Sequence, residues 1–550
     1  MRLEFVTISV TNLLTATRRR RLARRGIPAL LALAAMIPVT AAGQGQAPAA
    51  AKSSATGSQP PLAAAQVPAG KKAPASTAAS TKAPASAVAK KAPPKKRYQT
   101  ASGAPAVHRP SPRPHVSAST RAEAKEAVSE KISAGANVPV ENPAALVPFF
   151  EQLYRHQNGE LPGPLKVLQY GDSHTAADEW TGDLRAHFQE MFGDGGSGYA
   201  YAGIPYRGYR RFDLHSGATH GWKAEGLIGH TGDGIHGLGG ISITAESPRE
   251  AVYLSVDCQT FELYYLRQPG GGSVQVFDNG TLVDQLSTDG EMGPGYYHYE
   301  TEAGPHRFEV ETLDHAPVRL FGWVAEKATG VTYEALGING VSATIILNWN
   351  VDMLQANLEH RNPALIVLAY GTNEAGQKNW SVESYRDMYI QLIRRLRVAA
   401  PAATILVVGP PDRYIHTRRG WTVLENVETI VEAQREAAFA EGCAFWDMLA
   451  KMGGAGSMRQ WVQAGMGQTD YVHFTAPGYR KIGDAVFRDL MSQYDIFVKA
   501  RQTLATAHAA HYPIPSSSMR SSGLPHVRQI NDPQSPQASG SVTGAAQTAQ

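Results

Sequence analysis

The sequence predicts a three-layer α/β/α fold on a parallel sheet, interrupted by a separate β-sandwich of jelly-roll type. Two observations carry this. Short apolar runs that end in glycine alternate with segments of helical period on both sides of a long interval, the pattern of a parallel sheet covered on both faces. Inside that interval, over residues 206–329, the pattern switches to short alternating runs without helical period, which reads as antiparallel strands.

The 550 residues allow more than one core, but composition assigns only part of them to folded structure. Arg18 to Arg21, Arg24 and Arg25 precede an apolar run from Ile27 to Ala42 and the small residues Ala41, Ala42 and Gly43. This is the layout of a secretory signal peptide over residues 1–43. The run falls short of the roughly 20 residues of a spanning helix, so a cleaved leader is expected ahead of an uncleaved anchor. Residues 1–17 have no place in the layout, which points to a start of translation further in. Residues 44–135 are Ala, Pro, Lys, Ser and Thr with almost no large apolar side chain, and are expected to form a disordered linker. Its lysines, among them Lys71, Lys72, Lys90, Lys91, Lys95 and Lys96, either hold the protein near an anionic envelope polymer or simply solvate the linker. Residues 502–550, rich in Ser, Pro, Gln and Gly, read as a disordered tail.

The folded part is expected in three pieces. In residues 136–205, Leu165 to Tyr170 forms a strand ending at Gly171, and Thr175 to Phe192 a helix with Trp180, Leu184, Phe188 and Met191 on one face. The insert, residues 206–329, holds strands at 252–256, 261–266, 274–277, 296–300, 308–312 and 318–324, with Asn279-Gly280 at a two-residue hairpin turn. In residues 330–501, strands at 364–370, 404–408 and 443–446 alternate with helices, one lined by Tyr385, Met388, Leu392 and Leu396, one over 424–440 and one over 476–498. Such sheets bind ligands beyond the carboxyl ends of their strands, where the turns at Gly171, Gly371 and Gly409 gather.

The formal net charge is only +4, much of it in the leader and linker, so no nucleic-acid partner is expected. Cys258 and Cys443 form no C-x-x-C pair. Both are expected to be small buried apolar residues, and a disulfide between them is left open. Gly193 to Gly198 fits G-x-G-x-x-G but follows a helix, which argues against a dinucleotide site. His215, His220, His230 and His236 match no metal-ligand spacing. No cofactor, metal or protein partner is expected.

Four segments carry chemistry: Gly171-Asp172-Ser173-His174, Gly337-Ile338-Asn339-Gly340, Gly371-Thr372-Asn373-Glu374 and Asp470-Tyr471-Val472-His473. Acyl transfer to a serine needs a base, a group that orients the base, and donors for the oxyanion. Ser173 after a buried strand suits the nucleophile, His473 the base and Asp470 its orienting carboxylate. The Ser173 and Gly340 N–H groups and the Asn373 amide suit the oxyanion hole. Asp172 is expected to accept turn N–H groups, Asp178 to sit at a helix dipole, and His174 either to pack the loop or to contact substrate. Tyr264, Tyr265, Tyr296, Tyr297 and Tyr299 in the insert serve either sugar stacking or a strand core.

In this order the segments resemble blocks I, II, III and V of the SGNH (GDSL-like) hydrolase family, whose fold is flavodoxin-like. The resemblance implies the same roles for Ser173, Gly340, Asn373, Asp470 and His473. Block I ends in His174 where many members have Leu, block II has Ala335 where Asn is frequent, and block III ends in Glu374 rather than Asp. The second departure leaves Gly337 as an alternative to Gly340. The start Gly-Asp-Ser-His-Thr-Ala-Ala-Asp and the inserted sandwich are closer still to Gram-negative peptidoglycan O-acetylesterases. That likeness implies a periplasmic serine esterase removing acetyl groups from the muramoyl C6 hydroxyl of an acetylated glycan. The rival expectations are an O-acetyltransferase using the same residues, an esterase for another acetylated glycan, and a non-catalytic glycan-binding protein.

Overall fold

The computed structural model of the protein describes residues 116–134 and 140–511. The expected signal peptide, most of the linker and most of the tail lie outside the described residues. Strands Gly163–Gly171 (β1), Thr329–Gly337 (β2), Leu365–Ala369 (β3), Thr404–Val408 (β4) and Ala444–Trp446 (β5) form a five-stranded sheet in the order β2-β1-β3-β4-β5, parallel throughout. Because side chains alternate along a strand, each strand feeds two cores. Leu165, Val167, Leu365, Val367, Leu406, Val408 and Trp446 pack under the helices Val147–Gln157, Glu179–Phe192 and Ala476–His511. Leu168, Tyr170, Ile366, Leu368, Ile405, Val407 and Phe445 face the helices Val351–Arg361, Val382–Ala399 and Asn426–Ala440. These are the three expected layers.

The insert is one antiparallel sheet of nine strands that folds over on itself. The runs expected at 252–256 and 261–266 are a single strand, Ala251–Arg267, and those at 296–300 and 308–312 are another, Gly293–Thr312. Their pairing shifts register between Cys258 and Thr260. The inward side changes parity there, from Val252, Leu254, Val256 and Cys258 to Phe261, Leu263 and Tyr265, so both halves of the bent strand face one core. Phe261 stacks on Phe308 from the other half at 4.1 Å. Asn279 and Gly280, both at positive φ, make the expected hairpin turn.

The opposite surface of the insert is buried too. Tyr199, Tyr201, Tyr264, Phe321 and Val324 share a core with Trp349, Leu354 and Leu358 of the α/β domain. A buried ion cluster spans the same junction: Arg361 on the helix Val351–Arg361 pairs with Glu334 on β2 and with Glu326 of the insert.

Four expectations need correction. Residues 118–134 are a helix, not linker, because Ala124, Val128 and Ile132 recur every four residues and bury one stripe. The final helix runs past 502 to His511. The antiparallel sheet takes in Gly198–Ala200, ahead of residue 206. Finally, the first helix breaks at Ala177-Asp178, where Asp178 adopts a φ of 52°. Beyond the break Phe192 is buried in place of Met191. Asp178 stands at the N-cap of the helix Glu179–Phe192, as expected, and its buried carboxylate also pairs with Arg185 and accepts the Phe212 N–H, which fastens the chain leaving the helix.

Candidate active site

The strand order sets the site. Gly171 at the end of β1 lies between Gly337 of β2 and Ala369 of β3, so Ser173 emerges between the loops that carry Gly340 and Asn373. The Asp172 carboxylate caps the short helix Ser173–Ala176 by accepting the His174 N–H at 2.9 Å, as the sequence suggests. Burial pushes that carboxyl up to about 6, against the pull of the His174 N–H. The first amides of this helix, Ser173 included, are without intrahelical partners.

Across 300 residues of sequence, the Ser173 Oγ meets His473 Nε2 at 2.9 Å. His473 Nδ1 lies 2.8 Å from Asp470 Oδ2. The second Asp470 oxygen accepts the N–H groups of Val472 and His473. Burial acts to raise the Asp470 carboxyl, but the His473 and N–H hydrogen bonds outweigh it and bring it down to about 2. With Asp470 ionised, Nδ1 carries the imidazole proton and Nε2 is free to accept the Ser173 O–H. The two N–H bonds close a tight turn that holds Tyr471 at a φ of 55°, a conformation rare for a bulky residue.

Asn373 donates one amide N–H to the Val341 carbonyl at 2.8 Å, tying the β3 loop to the β2 loop and leaving its second N–H available. Gly340 is exposed at a φ of 76°, and its N–H makes no backbone hydrogen bond among the described residues. Gly337 is different. It is paired with Gly171 in the sheet, and a Cβ there would sit 2.1 Å from the Ala176 nitrogen, so its bareness serves close packing. Of the two glycines, Gly340 is the one whose N–H is left open.

Of its two expected roles, His174 takes the packing one. It is buried behind His473, with ring centroids 5.2 Å apart, and its Nδ1 meets the Tyr479 hydroxyl at 3.0 Å. Burial, followed by the neighbouring His473, holds its pKa well below the usual value, so a neutral ring backs the His473 imidazole. The two cysteines are free and buried in separate cores.

Sequence reasoning missed two ionisable groups at the site. Arg413, in the loop after β4, donates to the Thr372 carbonyl at 2.5 Å and lies in the field of Asp172 and Asp470. No local pattern marks it. Glu374, noted only as a departure, is fully buried and accepts the Ala343 N–H and the Tyr385 O–H. Burial pushes its carboxyl up to about 7.

This arrangement of hydroxyl, imidazole and carboxylate, with the Gly340 N–H and one Asn373 N–H left open on neighbouring loops, is one that acyl transfer requires. The model of the GDSL-like lipase/acylhydrolase family matches residues 303–481. A solved structure titled "Peptidoglycan O-acetylesterase in action, 5 min" aligns with a TM-score of 0.55 at 28% identity, over 63% of this chain and 96% of that one. Sequence model and fold thus both support the GDSL-like hydrolase family. The matched stretch of this esterase begins inside the inserted sheet and omits Ser173, which the fold returns to His473. A family two carbohydrate esterase from Cellvibrio japonicus aligns at 13% identity and a TM-score of 0.24, over 51% of this chain and 98% of that one. A lipase/acylhydrolase from Enterococcus faecalis aligns at 18% identity and a TM-score of 0.24, over 30% and 77%. No curated protein matches the sequence significantly.

Proposed function

We propose that this esterase removes O-acetyl groups from a cell-envelope glycan, namely the muramoyl C6 O-acetyl of peptidoglycan, after export to the periplasm. The observation that carries the reading is the hydrogen-bonded chain from Ser173 through His473 to Asp470, set at the sheet edge in a chain similar to a peptidoglycan O-acetylesterase over nearly all of that protein's length. The leader-like start of the sequence supports the compartment.

In the proposed reaction, the Ser173 oxygen attacks the acetyl carbonyl carbon while His473 Nε2 takes the hydroxyl proton. The Ser173 and Gly340 N–H groups and the free Asn373 N–H stabilise the oxyanion. Collapse expels the sugar alkoxide, which takes the proton from His473. Water, deprotonated by the same nitrogen, then attacks the acetyl-serine and releases acetate. Asp470 holds the ring and stabilises the imidazolium.

The test is acetate release from O-acetylated peptidoglycan by the wild-type protein and by Ser173→Ala. The reading expects stoichiometric acetate from the first and none from the second. Wild-type cleavage of p-nitrophenyl acetate with no acetate from peptidoglycan would keep the esterase and overturn the substrate.

A further inference from the structure

Loop residues 410–413 after β4 lead into a small hairpin, Tyr414–Thr417 paired with Gly420–Val423, which stands at the carboxyl edge of the sheet. A two-stranded hairpin is marginal in water on its own, and this one is held by the site. The Tyr414 N–H donates to the Tyr471 carbonyl at 3.0 Å, and the Leu424 N–H to the Arg413 carbonyl at 3.1 Å. The Tyr414 hydroxyl donates to the Gly456 carbonyl, and Tyr414 and Val423 reach the core beneath.

Further from this base, the same hairpin face turns outward. Trp421 is 37% exposed, the one exposed tryptophan among the described residues. Its ring lies 4.9 Å from Tyr471, tilted by 34°, and His416 meets it edge-on at 4.9 Å. Tyr471 belongs to the turn that carries Asp470 and His473, and the Asp470 hydrogen bonds impose its left-handed backbone. The hairpin tip is Arg418-Arg419, both exposed, and residues 413–424 contain no acidic residue.

We infer that Trp421, backed by Tyr471, is a stacking platform for a pyranose ring of the glycan chain beside the acetylated sugar, and that Arg418 and Arg419 take carboxylates borne by that chain. The inference rests on the glycan reading of the Ser173 site and adds where the polymer is gripped. A partly exposed aromatic ring suits the apolar C–H face of a sugar. The guanidinium fork suits carboxylates. Because the platform shares its turn with Asp470 and His473, a sugar stacked there places its neighbour within reach of the reacting atoms. Of the insert's tyrosines named above, Tyr264 and Tyr265 are buried, Tyr296 is stacked on His360 at 3.6 Å, and Tyr297 and Tyr299 pack partly against the insert's own core.

The experiment titrates Ser173→Ala protein calorimetrically with peptide-free, acetyl-free glycan strands of peptidoglycan, whose lactyl carboxylates are exposed. Binding is expected to weaken about tenfold when Trp421→Ala is added and to survive Trp421→Phe. Arg418→Ser with Arg419→Ser is expected to weaken it several-fold and flatten its salt dependence. Melting temperatures identify a variant that fails to fold, in which case the Phe and double Ser variants carry the test. Absence of strand binding, or affinity indifferent to Trp421 and to the tip, overturns the platform. So does Trp421-dependent co-sedimentation with phosphatidylglycerol–phosphatidylethanolamine vesicles without strand binding, which would make the hairpin a membrane contact. Trp421-dependent strand binding by a protein that releases no acetate from peptidoglycan would keep the platform and overturn the acetyl assignment.

Discussion

The inserted sheet and the hairpin at Tyr414–Val423 both place aromatic rings on antiparallel strands, and they use them in opposite ways. The insert turns its rings inward: Phe261 stacks on Phe308 in its own core, and Tyr264 packs with Tyr199 and Tyr296 against the α/β domain. The hairpin is too small to have an inside. Its base residues use the core of the α/β domain, and Trp421 is left partly exposed against Tyr471 and His416. An aromatic residue on a strand therefore says little about ligand binding until its strand's neighbours are known. In this protein the large β insert uses Phe261, Phe308 and Tyr264 for packing, and the short hairpin leaves Trp421 partly exposed.

The largest expected effect concerns the centre the hairpin borders. Ser173→Ala should lower turnover of any ester by about 10⁴-fold or more, read as acetate or p-nitrophenolate release. Asn373→Ala should cost about 10²–10³ in turnover, and a loss below about fivefold would take its amide out of the oxyanion hole. The comparison of the two β regions is broken or kept by a matched pair of variants. Phe261→Ala should lower the unfolding free energy by about 3–5 kcal/mol, measured in urea. Trp421→Ala should lower it by less than about 1 kcal/mol, its cost appearing in strand binding. Equal destabilisation by both would make Trp421 a core residue.

The smallest effect is a pH slope. Glu374 is held protonated by burial, with its carboxyl raised to about 7 from 4.5 in the unfolded chain. The folded state binds this proton more tightly, so the contribution is fully present below about pH 4.5 and is lost as pH rises through about 7. The melting temperature of the wild type relative to Glu374→Gln should therefore fall across that window. A constant difference between the two would mean that the carboxyl titrates alike in both states.

Much of the fold was legible because it depends on local periodicity. The apolar runs at β1, β3 and β4 and the face of Tyr385, Met388, Leu392 and Leu396 appear where expected. The strand Thr329–Gly337 was not read from sequence. Gly330 and Glu334 break its apolar pattern, and Glu334 is tolerated only because Arg361, from a helix, pairs with it. The helix at 118–134 was hidden in the same way, since its stripe of Ala124, Val128 and Ile132 is too weak to announce itself before a partner surface is known.

By itself the sequence determined which groups are candidates for the site, because an Asp three residues before a His and a Ser following a strand are constraints that one short loop or turn satisfies. Tertiary structure decided what lies around them. It buried His174 and so kept that ring neutral, it consumed Gly337 in the sheet and left Gly340 open, and it brought Arg413 and the hairpin to the catalytic turn. Each of these depends on burial or on proximity between segments far apart in the chain, and neither quantity exists until the layers have packed.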